Sequence, residues 1–132
     1  MPASEVRPEH LAPPAAKYAH AVRIDGPATM VFTSGVVPTM PDGTVPSSLE
    51  GQARCVWANL IEILRSAGMG IADVVSITTY VVARDTLSAD LASVMAVRDE
   101  VMGDHRAAST LVTVPALARP EWSMEIALVA AR

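Results

Sequence analysis

The sequence predicts an α+β domain in the order β-β-α-β-α-β-β, with one mixed sheet and two helices on one face. Three observations carry that prediction. Two stretches repeat apolar residues at helical spacing, while five shorter ones are rich in β-branched residues and bounded by Pro, Gly or Asp. At 132 residues the chain has the length of one domain. Hydrophobic residues make up 51% against 18% charged, enough for a buried core and too apolar for a disordered chain. Aromatics reach only 4%, so that core must come from Val, Ile, Leu, Ala and Met.

Residues 1–16 read as a loose N-terminal arm, and 17–132 as the folded domain. The arm carries Pro2, Pro8, Pro13 and Pro14 and no apolar run, so it does not read as a targeting signal. Tyr18 to Arg23 forms a short strand. Asp25-Gly26-Pro27 is turn chemistry. Met30 to Val37 is a second strand ending at Pro38, and the two are expected to pair as a hairpin. Pro41-Asp42-Gly43 and Pro46 mark a loop. Ser47-x-x-Glu50 fits a capping box. Leu49, Ala53, Val56, Leu60, Ile63, Leu64 and Ala67 then follow at helical spacing, and Gly68 supplies the stop. Val74 to Val82 is a central strand. Leu87, Leu91, Val94, Met95 and Val101 make a second helix, ending near Gly103. Ser109 to Val114 and Ser123 to Val129 are the last strands, with Pro115 and Pro120 in the loop between them.

Both faces of the strands are apolar. Val31, Thr33, Gly35 and Val37 oppose Met30, Phe32, Ser34 and Val36. Val75, Ile77, Thr79 and Val81 oppose Val74, Ser76, Thr78, Tyr80 and Val82. Two helices cover one face only. The other needs a partner, most simply a second copy of the chain.

Composition excludes several function classes. The formal net charge is −4, and the cations form no run or patch, which argues against a nucleic-acid partner. The longest apolar runs are too short to span a membrane, so no membrane partner is expected. The single cysteine, Cys55, excludes an internal disulfide framework and a multi-cysteine metal site. A soluble protein of a reducing compartment is expected, most simply the bacterial cytoplasm. His10, His20 and His105 match no metal spacing. Lys17, the one lysine, lies beside the arm and is no Schiff-base candidate. Phosphate-cradling and nucleophile-elbow motifs are absent.

Glu125 is the most informative charged residue. By alternation it shares a strand face with Ala127 and Val129. There it is either exposed, or holding a loop, or seated in a pocket where desolvation favours acid–base work. Ser34-Gly35 ends a strand. The glycine either lets a ligand approach the backbone or marks a bulge or tight strand contact. Arg106 either forks onto a carboxylate ligand or forms a loop or intersubunit ion pair. Cys55, on a helix face with Gly51, Ala58 and Asn59, reads as an inert packed thiol.

The order of these segments and several short motifs resemble the RidA/YjgF family of reactive-intermediate deaminases, also labelled endoribonuclease L-PSP. The motifs are Ala16-Lys17-Tyr18-Ala19-His20-Ala21-Val22 and Val31-Phe32-Thr33-Ser34-Gly35-Val36-Val37-Pro38. Gln52-Ala53-Arg54 with Asn59-Leu60, Ala67-Gly68-Met69 with Ala72-Asp73-Val74-Val75, Gly103-Asp104-His105-Arg106 and Glu125-Ile126 follow. They span residues 13–132. The resemblance implies a chorismate-mutase-like fold, a homotrimer with its sheets at the centre, and three clefts between subunits. It implies hydrolysis of enamines and imines such as 2-aminoacrylate, with no metal or organic cofactor. A cleft arginine would hold the substrate carboxylate, and a glutamate near the start of the last strand would position water.

The departures are specific. The family's arginine position is Ser109, within Ala107-Ala108-Ser109-Thr110, and the small residue two positions on is Leu111. Ser-Gly-Gln reads Ser34-Gly35-Val36. A common asparagine of the second helix is Met95. Glu125 and Tyr18 are kept, and the loop from Ala116 to Trp122 is about one residue longer, bringing Trp122 toward the cleft. Losing a charge-assisted Arg–carboxylate contact costs on the order of 2–4 kcal/mol, roughly 30- to 1,000-fold. Arg106, three residues earlier, would face away if that segment were extended.

The expectation is therefore a RidA-like homotrimer binding a small molecule between subunits, with weak or no 2-aminoacrylate deaminase activity. It would act on an enamine or imine lacking the usual carboxylate. Glu125 is the catalytic candidate; Tyr18, Ser34, Gly35, Ser109, Trp122 and Arg106 are the ligand-binding candidates. The rival readings are a non-catalytic binding or regulatory protein and, opposed by the acidic charge, a ribonuclease or translation inhibitor.

Overall fold

A computed structural model describes residues 3–132 of the chain. Residues 1 and 2 of the expected arm lie outside the described residues. The elements are β1 (Ala3–Val6), β2 (Ala21–Ile24), β3 (Met30–Phe32), α1 (Leu49–Ser66), β4 (Val74–Val82), α2 (Leu87–Met102), β5 (Ala108–Val114) and β6 (Met124–Ala131). A 3-10 turn at Ile71–Asp73 leads into β4. The α+β class and two-helix arrangement agree with the sequence.

The arm is not wholly loose. Residues 3–6 form β1, antiparallel to β2, with Ala3 opposite Ile24 and Val6 opposite Ala21. Pro8 soon follows, and the proline-rich look of the arm hid this short alternating stretch. The expected hairpin between the second and third strands does not form. Gly26 does take a left-handed turn, at φ 56°. The chain then leaves β2: Ala28 and Thr29 donate to the Arg132 carbonyl at 2.9 and 3.0 Å. That contact delivers β3 to β6, with Met30 opposite Ala131 and Phe32 opposite Val129.

The main sheet has the order β3-β6-β4-β5, and β1-β2 forms a separate two-stranded sheet. The single mixed sheet of the prediction is therefore divided. A lone parallel bridge joins the pieces, Ala19 to Ala108, with the Ala19 amide donating to the Ala107 carbonyl at 2.9 Å. β4 runs parallel to β5 through the α2 crossover and antiparallel to β6.

Helix α1 starts one residue later than the capping box places it. Ser48, not Ser47, is the N-cap; its hydroxyl accepts from the Gly51 amide at 3.0 Å. Glu50 pairs with Arg54 at 3.5 Å instead of reaching back. Gly68 just past the helix has φ 75°, the left-handed conformation expected of a stop residue. The helices cover the face bearing Ile77, Val81, Met124, Ile126 and Leu128, packing Trp57, Leu60, Leu64, Val94 and Val97 onto it.

The opposite face stays open. Phe32 is 69% exposed, Met30 46% and Val112 40%. Among the described residues, no helix is long and apolar enough to cross a membrane.

Candidate functional site

Along β6 the alternation buries Met124, Ile126 and Leu128 under the helices. Glu125 therefore points to the open face, half-buried, with Ala127 and Val129. Its cross-strand neighbour on β4 is Tyr80.

The segment after β3 shapes the ground beneath that carboxylate. Thr33 donates its amide to the Leu128 carbonyl at 3.0 Å, and its hydroxyl accepts from the Leu128 amide at 2.9 Å. Val36 then exchanges two hydrogen bonds with Ile126, at 2.7 and 3.1 Å. From residue 33 to 36 is three steps, whereas Leu128 to Ile126 is two. Ser34-Gly35 therefore bulges against Ala127 alone. The bulge brings Gly35 under Glu125. A Cβ on Gly35 would collide with Oε2 of Glu125 and lie 2.9 Å from its Cδ. The glycine is a tight strand contact, and the space above it holds the Glu125 carboxylate. Among the described residues no arginine, lysine or histidine pairs with that carboxylate. It is an acceptor available to a water or to a cationic or N–H-bearing ligand.

Two side-chain amides on α1, the buried Gln52 and the half-buried Asn59, hold the surroundings. Gln52, 2% exposed, donates through Nε2 to the Pro46 and Glu121 carbonyls at 2.9 Å each, and its Oε1 accepts from the Ser123 amide at 2.8 Å. This ties the entry of α1 to the entry of β6, two residues before Glu125. Asn59 donates to the Val37 and Thr39 carbonyls at 3.2 and 3.0 Å, pinning the far end of the bulged segment. Trp122, half-buried, sits on the same β6 entry, with the Arg119 guanidinium 5.5 Å from its ring centre.

The remaining candidates lie elsewhere in a single chain. Ser109 is level with Ile77 across β4–β5, which places it on the helix-facing side with Leu111, opposite to Glu125. Tyr18 is next to the Ala19–Ala108 bridge at that same sheet edge. Its hydroxyl accepts from the Ala15 amide at 3.3 Å, and its ring meets His20 edge-on. β5 and β4 separate this edge from β6. Arg106 is not on a strand at all. It lies in the α2–β5 loop and lines a cavity away from Glu125, with residues of β1. One chain thus unites Ser34, Gly35 and Glu125, leaves Trp122 at the β6 entry three residues before Glu125, and holds Tyr18 and Ser109 apart from them.

Cys55 is half-buried on α1, not packed away as the sequence suggested. Burial pushes its thiol up, with a weaker opposing contact from Asn59. It shares a surface with Gly51, Ala58 and Asn59. No cluster of three or more His, Cys, Asp or Glu side chains suited to a metal occurs among the described residues. Tyr80 was not legible as a neighbour of Glu125, because a cross-strand pair needs the register. Gln52 appeared only as part of a motif; its burial and three hydrogen bonds need the tertiary fold.

A bulge under a half-buried glutamate, on a mixed sheet backed by two helices, defines a small α+β domain with a carboxylate site on its sheet. The endoribonuclease L-PSP family model matches residues 9–132. The chain belongs to that family, the RidA/YjgF proteins. It is 31% identical over 80 residues to TdcF of Escherichia coli strain K12, whose name places it among reactive intermediate deaminases. That match covers 60% of this chain and 59% of TdcF. The Rid-family protein of unknown function YyfB from Yersinia pestis superposes with a TM-score of 0.88 at 33% identity, covering 100% of both chains. Rv2704 of Mycobacterium tuberculosis gives 0.68 at 29% identity over 89% of each chain. TdcF crystallised with bound serine gives 0.71 at 24% identity over 98% of each, a likeness of fold.

Proposed function

We propose that the chain assembles as a homotrimer whose intersubunit clefts bind a small molecule, and that Glu125 positions water there to hydrolyse an enamine or imine without the usual carboxylate. The observation that carries this is the Glu125 carboxylate seated over Gly35, half-buried and without a cation partner. The open face beside it, with Phe32 69% exposed, supports association of copies through their sheets. The separation of Tyr18 and Ser109 from Glu125 also supports a composite cleft, because a neighbouring copy could supply the missing half. Ser109 carries no charge, so recognition of an α-imino acid carboxylate is weak and 2-aminoacrylate turns over little above background.

The absence of that charge equally favours the second reading, a binding or regulatory protein that keeps the cleft without turnover. Nuclease action has less support. Eight arginines, at 7, 23, 54, 65, 84, 98, 119 and 132, lie within 4.0 Å of a carboxylate. They leave no basic stripe for phosphates.

The test couples assembly to chemistry. Light scattering after size exclusion should give about three times 13.9 kDa. Glu125→Gln should keep that mass and abolish hydrolysis of whichever carboxylate-free enamine the parent accepts. A monomeric parent overturns the cleft. Parental turnover in Glu125→Gln overturns the role of Glu125, and ligand binding without any turnover selects the regulatory reading.

A further inference from the structure

Arg106 is the exception among the arginines. The other eight each have a carboxylate within 4.0 Å; Arg106, among the described residues, has none. It is nonetheless held in place. Its Nη1 donates to the Gly103 carbonyl at 2.7 Å and to the His105 carbonyl at 3.2 Å. Both acceptors are neutral, so they fix the guanidinium without cancelling its charge. A guanidinium has five N–H donors, and these contacts engage one nitrogen. The fork formed by Nε and Nη2 remains for another acceptor.

Arg106 lines an open cavity of about 360 Å³ bordered by β1, the start of β4 and the α2–β5 loop. The volume suits a small molecule. The walls carry their own internal contacts. His105 donates its Nε2–H to the Val74 carbonyl at 2.6 Å, since a carbonyl can only accept. Arg7 at the rim is paired with Glu5 at 2.9 Å, so that pair is neutral overall. The exposed Asp104 is the opposing charge.

We propose that this cavity binds a small organic oxyanion, a carboxylate or a phosphate, on the guanidinium fork of Arg106. A delocalised planar cation with two parallel donors matches either group, and no carboxylate among the described residues lies within 4.0 Å of it. The site is separate from Glu125 and does not depend on the role given to that residue. Asp104 lowers the affinity, so binding is expected in the millimolar range at low salt.

The test uses the full-length 15N-labelled protein. Inorganic phosphate and propionate are titrated separately while the Arg106 Nε–H and His105 resonances are followed, with chloride at matched ionic strength as control. A saturable shift with phosphate, propionate or both, beyond chloride, is expected, and the stronger arm identifies the class. Arg106→Gln should weaken binding tenfold or more. Asp104→Asn should tighten it several-fold, which loss of a structural contact would not do. Glu125→Gln should leave it unchanged. Non-saturable shifts, shifts equalled by chloride, or affinity unmoved by both Arg106→Gln and Asp104→Asn would overturn the site. If Arg106→Gln does not fold, the parent titrations and the exposed Asp104→Asn variant decide alone.

Discussion

Replacing Gln52 by alanine removes the clamp between the entries of α1 and β6. Gln52 is 2% exposed and makes three hydrogen bonds, to Pro46 and Glu121 at 2.9 Å each and from Ser123 at 2.8 Å. Each net hydrogen bond is worth about 1 kcal/mol, and each buried backbone group left without a partner costs about 1–3 kcal/mol. Glu121 is exposed and its carbonyl can turn to water; Pro46 and Ser123 are half-buried and recover less. The expected loss is therefore about 2–5 kcal/mol. With a urea dependence of roughly 1–3 kcal/mol per molar, the midpoint should fall by roughly 1–3 M. The assay is urea unfolding at one protein concentration, because association would otherwise shift the midpoint. Gln52→Glu should be no better, since a carboxylate offers no N–H to the Pro46 and Glu121 carbonyls. A Gln52→Ala midpoint within ~0.3 M of the parent, less than one net hydrogen bond at these slopes, would refute the clamp.

Gly35→Ala should leave the fold within about 2 kcal/mol, because the added methyl meets the movable end of Glu125. It should displace the carboxylate and cost on the order of 100-fold in any Glu125-dependent turnover; retained turnover would show that the seat over Gly35 is not needed. Asp90 is held below its ordinary value of 3.8 chiefly by hydrogen bonding to Arg84, with Thr86 adding to it. Its folded pKa is depressed, so its stabilisation is complete above the unfolded value and lost as pH falls through the folded one. Urea midpoints of the parent should thus drop below about pH 4, and Asp90→Asn should flatten that acid limb. Ser109→Arg should bind pyruvate or 2-oxobutanoate more tightly than the parent by calorimetry; equal affinities would remove Ser109 from the cleft.

The sequence was most readable where local chemistry and tertiary packing agree. Val74–Val82 is a strand over the expected residues because its β-branched run is buried between two neighbours. α2 ends at Met102 before Gly103, as the glycine suggested. The misreadings came from partners distant in the chain. β3 leaves β2 for β6, about a hundred residues away, and no local signal marks that choice. Met30 to Val37 looks like one strand, yet the Ser34-Gly35 bulge breaks it for the sake of Glu125. Glu125 stood out because a carboxylate is conspicuous in an apolar strand. Its seat on Gly35 and its neighbour Tyr80 required the register, and the remote placement of Arg106 required the path of the α2–β5 loop.

The position of β6 has a consequence for synthesis. It is the last strand in chain order, yet it lies inside the sheet, between β3 and β4. On the ribosome, β4, α2 and β5 can assemble as a local crossover unit as soon as they emerge. β3 must wait, its Phe32 and Met30 exposed, until residues 124–131 arrive to join the two. Until then the nascent chain presents two unpaired strand edges flanking an empty slot. A chaperone can hold such edges, and a second nascent copy could occupy them wrongly. Closing the slot requires contacts far apart in the chain, so the insertion of β6 should set the pace of folding.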